Sequence, residues 1–525
     1  MSPFIRKKPN GGGTAVQIME KIGRTNRVIE HVGTAHSEVE LAALVQLAQA
    51  KLHPDQPTLD VFDTSVHTPA VIESKRCRWL WEALTHTYTV LGFDCVRDRA
   101  FMEMVLARII HPASKAETVG VLEEIGVGSS SLRTMFNALA RTKERDYRSQ
   151  IATKCFAHAC SQGDVSLVLY DVTTLYFEAE QEDELRRVGY SKERRVDPQV
   201  VVGLLVDRTG FPLEIGCFEG DKAETHTMIP IVAAFQERHC LHDMVVVADA
   251  GMMSSANLKE LDAAGLRFIV GARQVKAPGD LANHFHWSGD AFTDGQVIDT
   301  ITPRDRGQKQ APRATRGEPV WNPAVHGKSW RAIWVYSHKR AARDAKTLAL
   351  QEAKARDIIA GVKTTKQVRF LKTTKSGRSI DEASLKRAKS LVGLKGYLTN
   401  IDAITMTPDE VVSSYHDLWH VEQSFRMSKS DLAARPMFHH TKDAIEAHLT
   451  IVFTALAVSR AMQAASGMSI KRILQTLRPL QEMTIRIGPH HYTAADPLPS
   501  QARKLLTDLG PEFGQSLGEF RVAAR

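Results

Sequence analysis

The chain of 525 residues contains few cysteines, and they follow no regular pattern. Its six cysteines lack the paired spacing of a secreted, disulfide-rich protein. Cys155 and Cys160 flank His158, but the spacing differs from that of zinc knuckles and no second pair follows. We therefore expect thiols without a metal and a reducing compartment.

Long apolar runs are also missing. No run approaches the roughly eighteen apolar residues that cross a bilayer, and the stretch LTIVFTALAV (449–458) is too short. The N-terminus, MSPFIRKKPNGGGTAV, is basic but lacks the apolar segment of a signal peptide. The sequence thus predicts a cytoplasmic protein that makes no membrane contact.

The composition favours several folded domains and a polyanionic partner. Hydrophobic residues make up 43% of the chain, which is ample for real cores, and the length suits three or more domains. The net charge is +8, and residues 363–395 alone hold ten Lys or Arg against two acids. Lys372, Lys375 and Arg378 lie within this stretch. It is either a DNA-contacting surface or an ordinary solvated face.

Two apolar segments each end at an aspartate. In VVVADAG, Val245 to Ala248 reads as a strand buried on both faces, and Asp249 follows it. In VSLVLYDVTT, the apolar run before Asp171 repeats the arrangement. In open α/β sheets, ligands and reacting groups lie at the edge where such strands end. An aspartate at this position is also typical of a turn or a helix cap.

The elements between the two aspartates predict a fold. Residues 198–207 and 211–220 read as a hairpin, and residues 225–239 as a helix with Thr225 as a plausible cap. The resulting order matches a ribonuclease-H-like core, in which the first and fourth strands lie side by side. Asp171 and Asp249 are then expected to converge.

Glu422 is the candidate for a third acid. Two carboxylates bind a hard divalent ion weakly, and phosphodiester chemistry usually needs one more. In the segment 413–432, Tyr415, Glu422 and Lys429 are spaced by seven, so they share one face of a helix. The alternative is an amphipathic surface helix in which Glu422 pairs with Arg426.

As a set, these stretches resemble the DDE transposases of bacterial insertion sequences, in the group marked by a Tyr-x2-Arg-x3-Glu-x6-Lys helix. The resemblance covers roughly residues 160–460 and places Tyr415, Glu422 and Lys429 in register with that helix. One position departs from it. Leu418 stands where the group has arginine, so Arg426 or His416 is expected to take over the phosphate contact of that arginine.

The resemblance also implies a chemistry. Asp171, Asp249 and Glu422 would hold Mg²⁺, or Mn²⁺ in its place, for cleavage at transposon ends and strand transfer into target DNA. Tyr415 and Lys429 would face phosphates. The partner would be double-stranded DNA, both terminal inverted repeats and target, with a dimer in the synaptic complex. A metal-dependent nuclease without strand transfer and a non-catalytic DNA-binding relic remain open as alternatives.

The predicted architecture is multidomain α/β, with a ribonuclease-H-like α/β/α core interrupted by a partly β insertion and preceded by a mainly helical region. The predicted parts are an N-terminal hairpin and helical region that is expected to bind DNA (1–160), the catalytic core in two pieces (161–273 and 398–470), the insertion (274–397) and a C-terminal helical region (471–525). The insertion follows from the distance along the chain, since Glu422 lies 173 positions after Asp249, more than the core needs.

Two further features of the sequence suggest DNA contact. Residues 112–142 suit a helix-turn-helix whose second helix carries Arg133 and Arg141 into DNA, although many helical pairs bind nothing. The insertion also contains a cluster of tryptophans, one of which is a candidate for stacking on a flipped base, with packing the expected role of most. They are Trp287, Trp321, Trp330 and Trp334.

Overall fold

The computed structural model describes most of the chain. The described residues are 3–10, 13–23, 25–52, 70–178, 181–189, 197–223, 226–241, 243–250, 254–305, 314–362, 368–374, 377–435, 437, 439–487 and 489–513. The chain divides into two compact units, residues 1–71 with 485–492 and residues 72–484 with 493–525. The first unit contains the N-terminal sheet, and the second contains all three predicted acids.

A three-stranded antiparallel sheet with a helix on one face makes up most of the first unit. Its elements are β1 (Phe4–Asn10), β2 (Gly13–Ile22), β3 (Thr25–Ala35) and α1 (Glu38–Leu52), with strand order β1–β2–β3. Val16, Ile18 and Ala48 form its buried centre, where the alternating apolar residues of β2 meet α1. The sequence predicts β2, β3 and α1. It misses β1, because FIRKKPN has no apolar alternation and is defined by its backbone pairing with β2.

A helical region follows strand β4 (Val71–Arg76). Its helices are α2 (Arg78–Val90), α3 (Arg99–Ile110), α4 (Lys115–Glu124), α5 (Leu132–Glu144) and α6 (Tyr147–Gln162). Ser114 and Glu117 form a capping box at the start of α4, and Ser131 caps α5. The prediction of helices over residues 75–160 is confirmed.

Arg141 lies inside this helical region rather than on a DNA-facing surface. Its guanidinium is 2.7 Å from the carboxylate of Asp98, which also accepts a hydrogen bond from the hydroxyl of Tyr147 at 3.0 Å. The expectation that α5 carries Arg141 into DNA is therefore wrong, because a carboxylate as buried as Asp98 requires a cation beside it. Arg133, on the same helix, is exposed.

The six cysteines are all free, as the sequence predicts. Cys155 is buried within α6, whereas Cys160 is exposed near the end of the same helix. The two thiols and His158 do not form a metal site, since no group of three His, Cys, Asp or Glu side chains among the described residues is placed to hold an ion.

An eight-stranded mixed sheet is the core of the second unit. Its first elements are β5 (Leu167–Tyr176), β6 (Gln199–Val206), β7 (Pro212–Glu219), α7 (Met228–His239), β8 (Val245–Ala248), α8 (Ser255–Ala263) and β9 (Arg267–Ala272). Strand β5 pairs antiparallel with β6 and parallel with β8. The predicted adjacency of the first and fourth strands is thus confirmed. Thr227 occupies the N-cap position of α7 without a side-chain capping hydrogen bond, while Thr225 lies outside the described residues.

Residues 274–397 extend this sheet in part and also form a separate two-stranded sheet. They contain α9 (Ala277–Asp280), α10 (Ala282–Ser288), β10 (Val297–Pro303), β11 (Ser329–Tyr336), α11 (His338–Ile359), β12 (Leu371–Thr374), β13 (Gly377–Ile380), α12 (Glu382–Ser390) and the start of β14 (Leu394–Thr399). The full strand order is β10–β11–β14–β9–β8–β5–β6–β7. The predicted insertion domain over 274–397 is corrected accordingly, because β14 pairs with the backbone edge of β9 and joins β10 and β11 to the core.

The tryptophans of this region are mostly structural. Trp330 and Trp334 on β11 have 0% exposure and Trp321 has 4%, whereas Trp287 is 40% exposed. Of the four, Trp287 alone keeps a surface on which a base can stack. Of the segment 303–319, residues 306–313 lie outside the described residues.

The basic stretch 363–395 does not form one surface. Lys372 pairs across the β12–β13 hairpin with Ser379, and Arg378 pairs with Thr373, so the two cations leave opposite faces of the hairpin. Lys389 lies 3.1 Å from Glu352 in an ion pair. Lys375 lies outside the described residues. The two described residues predicted to bind DNA here, Lys372 and Arg378, therefore do not share a face of the hairpin.

The C-terminal part of the chain begins with two short helices and a long one. Its elements are α13 (Pro408–His416), α14 (Trp419–Ser430), α15 (Lys442–Ser466), α16 (Ile470–Leu477), β15 (Glu482–Ile487), β16 (His490–Ala495) and α17 (Ser500–Leu509). By length and composition α15 is apolar enough to cross a membrane, with a mean hydropathy of 1.3, but 83% of that window is buried inside the protein. It packs against α3, α5 and β7 as the central helix of the core.

Candidate active site

Asp171 and Asp249 leave neighbouring strands at the same level. Strands β5 and β8 run parallel in register from Leu167↔Val245 to Tyr170↔Ala248. The next residue on each strand is an aspartate. β8 ends there, whereas β5 continues to Tyr176 and Asp171 pairs with Leu204 on β6. Because parallel strands in register carry equivalent residues side by side, the two carboxylates emerge at one edge of the sheet.

Glu422 joins these two acids in a pocket. The pocket has a volume of about 280 Å³ and is lined by both aspartates, Glu422 and residues of α13, α14 and β14. Its remaining lining residues are Tyr170, Lys395, Tyr415, His416, Leu418, Trp419 and Val421. The structure therefore brings together the three acids that the sequence singles out, from two strands and one helix.

The helix carrying Glu422 is shorter than predicted. A single helix over 413–432 was expected to place Tyr415, Glu422 and Lys429 on one face, but α13 ends at His416 and α14 begins at Trp419. At the break, the Leu418 N–H donates to the Tyr415 carbonyl at 3.2 Å, a tight turn in place of a regular helical bond. The prediction of one continuous helix is thus wrong, whereas Glu422 and Lys429, seven residues apart on α14, keep a common face. Tyr415 and Glu422 still line the same pocket, whereas Lys429 lies on α14 outside its lining residues.

Tyr415 is bonded to one of the acids. Its hydroxyl donates to Oδ1 of Asp249 at 2.6 Å. Burial raises the pKa of Tyr415 well above its usual value, and the hydrogen bond to Asp249 acts in the same direction, so the phenol remains a donor. Gly271 on β9 makes this contact possible, because a Cβ there would lie 2.6 Å from the Tyr415 hydroxyl oxygen. The hydroxyl predicted to face phosphate instead orients a carboxylate.

Lys395 also lines the pocket, although its sequence position marks it only as part of the basic stretch 363–395. It lies on β14, and its Nζ is 4.4 Å from the centre of the Tyr415 ring. Burial lowers the pKa of Lys395, as do Arg340 and Arg343, while Asp249 and Glu422 raise it. One signal in the sequence marks it: a single lysine within the otherwise buried strand LKGYLT.

His416 and Arg426, the candidates to replace the missing arginine at Leu418, are placed differently. His416 lines the pocket, and its Nε2 lies 3.2 Å from the hydroxyl of Tyr397. Burial and the nearby Lys395 lower the pKa of His416, so the ring is neutral at neutral pH. Arg426 is exposed on α14 and does not line the pocket. Leu418 itself is 8% exposed and belongs to the hydrophobic core.

The chemistry of the three acids fits a hard divalent ion. Asp171, Asp249 and Glu422 offer only carboxylate oxygens, the ligands that Mg²⁺ and Mn²⁺ take in proteins. In the described part of the chain these side chains share the pocket without being gathered into a ready-made cluster. The Tyr415 hydroxyl occupies one oxygen of Asp249 and leaves its other oxygen to a ligand.

The fold and the pocket together define a mixed α/β protein with an acidic, lysine-containing site beside two parallel strands. The family model for the transposase DDE domain matches residues 163–458, which is more than half of the chain. The chain therefore belongs to this family: it is a DDE transposase, a protein of DNA transposition and mobile elements. The matched range contains Asp171, Asp249 and Glu422.

A solved structure with partial similarity is the cryo-EM structure of the piggyBac transposase synaptic complex with hairpin DNA. The two chains are 9% identical, with a TM-score of 0.36, and the similarity covers 83% of this chain and 73% of that chain. No curated protein sequence matches the chain.

Proposed function

We propose that this transposase cleaves DNA at the ends of its element and joins the freed ends to target DNA, using Asp171, Asp249 and Glu422 as catalytic carboxylates in a ribonuclease-H-like core. The observation that carries the proposal is that these three acids line one pocket of about 280 Å³. They come from three segments that are distant along the chain, β5, the end of β8 and α14.

The reaction has two balanced steps. In cleavage, a water oxygen forms a bond to the scissile phosphorus, and the bond from phosphorus to the 3′-oxygen breaks, which releases a 3′-hydroxyl. In joining, that 3′-oxygen forms a bond to a target phosphorus and one target phosphodiester bond breaks. Two Mg²⁺ ions held by the three carboxylates would lower the pKa of the attacking hydroxyl and stabilise charge on the leaving oxygen.

Tyr415 and Lys395 support this chemistry from within the pocket. The Tyr415 hydroxyl fixes the rotamer of Asp249 through its 2.6 Å hydrogen bond, and the orientation of a metal-binding carboxylate by such a partner tunes its affinity. Lys395 supplies positive charge close to Asp249 and Glu422. In its charged form it balances part of the negative charge that a phosphodiester brings into the pocket.

DNA outside the scissile bond is the proposed partner of Arg426 and Lys429. Both lie beyond Glu422 along α14, on the same helix as a catalytic acid, and neither lines the pocket. Phosphates on either side of the scissile one are the fitting contacts for them. Two element ends must be cut together, so we expect a dimer on double-stranded DNA, with one active site for each end.

Strand transfer with pre-cut ends tests the proposal. Purified protein with Mg²⁺ is given a duplex from one flank of its gene that already carries a free 3′-hydroxyl, together with a supercoiled target plasmid. Joined product supports the transposase, and Asp249→Asn should yield none. Cleavage of uncut flanks without joining would instead establish a nuclease, and an inert protein that binds the flanks would establish a DNA-binding relic.

A further inference from the structure

The sheet of the first unit has two faces that the strand pairing defines residue by residue. Directly paired residues of antiparallel strands share a face. Ile5 pairs with Ile18, and both pack towards α1, as does Val16. This is the helix-side face. Leu44 of α1 approaches so closely that a Cβ on Gly33 would lie 2.9 Å from its Cδ2.

The opposite face, here called the outward face, carries the residues of the alternate pairs. These pairs are Phe4↔Met19, Arg6↔Gln17 and Lys8↔Ala15 between β1 and β2, and Lys21↔Asn26, Met19↔Val28, Gln17↔His31 and Ala15↔Thr34 between β2 and β3. Two β-bulges in the β2–β3 ladder keep these residues in phase. A contact of 3.4 Å between Thr34 Oγ1 and His31 Nε2 agrees with their common face.

Charge is segregated between the two faces. Arg6, Lys8 and Lys21 are exposed on the outward face, and among the described residues of the three strands no acid lies on that face. The two acids of these strands, Glu20 and Glu30, pair with helix-side residues. Glu30 forms an ion pair with Lys51 of α1. The outward face is therefore uniformly basic, although the sequence of the strands mixes both signs.

Hydrogen-bonding groups lie among these cations. Gln17, Asn26 and His31 offer amide and ring groups on the same face. The residues between these groups are apolar and nearly fully buried, since Ala15 is 3% exposed and Met19 is 2% exposed. The Arg6 guanidinium lies over the sulfur of Met19 at 3.9 Å. The paired strands thus present cations and amides outward.

The geometry points to duplex DNA as the ligand of this outward face. Strands lie about 4.8 Å apart, so a three-stranded sheet is roughly 10 Å across. The major groove of B-DNA is about 12 Å wide and admits a two-stranded β-ribbon, so two neighbouring strands of this sheet can enter it, where amides read base edges and cations contact the flanking phosphates. The major groove of double-stranded RNA is too narrow for such a sheet. The inference rests on the proposed function, which makes DNA the substrate. It adds that the outward face is a surface through which the chain binds DNA.

The test replaces the three outward cations in the full chain. The variant Arg6→Gln/Lys8→Gln/Lys21→Gln removes three charges from the outward face. The control, Lys7→Gln/Arg27→Gln/Lys51→Gln, removes three from the helix side of the same unit. Thermal unfolding of both variants is compared with wild type, so that loss of folding is recognised as such.

Binding is measured by fluorescence anisotropy on a mixed-sequence duplex over a range of salt concentrations. The outward variant is expected to bind on the order of tenfold or more weakly, with a salt slope smaller by about 0.9 for each lost phosphate contact. The control should keep the wild-type slope. A variant pair Gln17→Ala and Asn26→Ala should keep the slope but lose preference for duplexes from the gene flanks over scrambled ones.

Outcomes for this face and for catalysis can be separated. If the outward variant keeps wild-type affinity and slope, or if the control loses as much, the inference is overturned whether or not the protein cleaves DNA. If the outward variant binds weakly but joins pre-cut ends normally at saturating DNA, the face is a binding surface and the chemistry stands. If only the outward variant binds weakly and wild type neither cuts nor joins, the inference stands and the proposed function fails.

Discussion

The hydroxyl of Tyr415 donates a 2.6 Å hydrogen bond to Asp249, although 166 residues separate the two along the chain. The bond joins the last turn of α13 to the end of β8, and Gly271 on β9 leaves room for it. It couples the aromatic residue of the helical signature to one of the predicted metal ligands. The carboxylate is therefore held in place before any ligand reaches it.

Removal of one charge from any of the three acids should abolish cleavage. Asp171→Asn, Asp249→Asn and Glu422→Gln keep size and shape but weaken the ligand set for Mg²⁺. Folding and DNA binding should remain near normal, and binding tightens if repulsion with phosphate falls. Nicking of a plasmid carrying the gene flanks, followed on gels, measures the loss.

Glu446→Gln is the matched control for these variants. Glu446 lies on α15, outside the residues that line the pocket, so this variant should cut DNA almost normally. An active Glu422→Gln beside an inactive Glu446→Gln would assign the third acid to α15 and remove the roles given to α14.

The Tyr415 hydroxyl should matter for metal affinity. Tyr415→Phe keeps the ring and deletes the hydrogen bond to Asp249, so the Mg²⁺ concentration for half-maximal cleavage should rise roughly 10- to 100-fold, as for other residues that orient metal ligands. Tyr397→Phe is the control, because the Tyr397 hydroxyl contacts His416 and no acid. An unchanged Mg²⁺ requirement in Tyr415→Phe, with full activity, would refute the positioning role.

Lys395 should lower the stability of the fold while it supports cleavage. Its folded pKa is lowered by burial, so the folded state binds protons less readily than the unfolded state, and a charged Lys395 destabilises the fold at neutral pH. Lys395→Met should therefore unfold at an equal or higher temperature than wild type while its rate of cleavage falls. The reverse result, a less stable but fully active variant, would make Lys395 a packing residue.

The pH dependence of cleavage gives a second test of whether the charge of Lys395 is required. If its charged form is required, activity is lost as the pH rises through its lowered pKa, earlier than an ordinary lysine would allow. Lys395→Arg, which stays charged, should move that alkaline limit to higher pH. The groups facing it, Arg340, Arg343, Asp249 and Glu422, are unchanged in this variant. An alkaline limit in the same place would exclude Lys395 as its origin.

A buried lysine away from the pocket should limit stability in acid. Burial lowers the pKa of Lys115 to about 7, and Arg108 acts in the same direction. The amine contacts His439 and lies 3.4 Å from Nδ1 of His448. Since the folded pKa is below the unfolded value, the penalty is full below pH about 7 and vanishes as the pH rises towards the unfolded pKa.

Lys115→Met should therefore raise the melting temperature most at acidic pH, and the gain should shrink steadily in alkaline buffers. Lys143→Met, which removes an exposed lysine paired with Asp443, serves as the control and should show no such trend. Equal gains at all pH values would mean that packing, not charge, causes the effect of Lys115.

Local patterns determined much of the core. The alternation and apolar runs of β5, β6, β7 and β8 are properties of a few adjacent residues, and the structure has these strands where the sequence predicts them. The adjacency of β5 and β8 followed from their order along the chain. Asp171 and Asp249 were found by the same means, because a charged residue that ends a buried run is visible without any tertiary contact.

Tertiary structure decided what local patterns do not encode. The periodicity of the segment 413–432 favours one helix, but the segment breaks at Asp417 and Leu418, where Leu418 is buried in the core and Asp417 lies 3.3 Å from Arg208, more than 200 residues away. The pairing of β14 with β9 turned a predicted insertion into part of the core sheet. The same strand pairing places Lys395, a residue of the basic stretch, in the lining of the pocket.

The sequence by itself determined the core strands β5 to β8, the aspartates on or directly after two of them and that the chain is basic. Only the tertiary structure decided which charges share a surface, since that depends on strand register and on cations recruited by distant buried carboxylates. Arg141 is held by the buried carboxylate of Asp98. Strand register places Lys372 and Arg378 on opposite faces of their hairpin. Arg6, Lys8 and Lys21 meet on one face because pairing in a sheet aligns alternate residues of neighbouring strands.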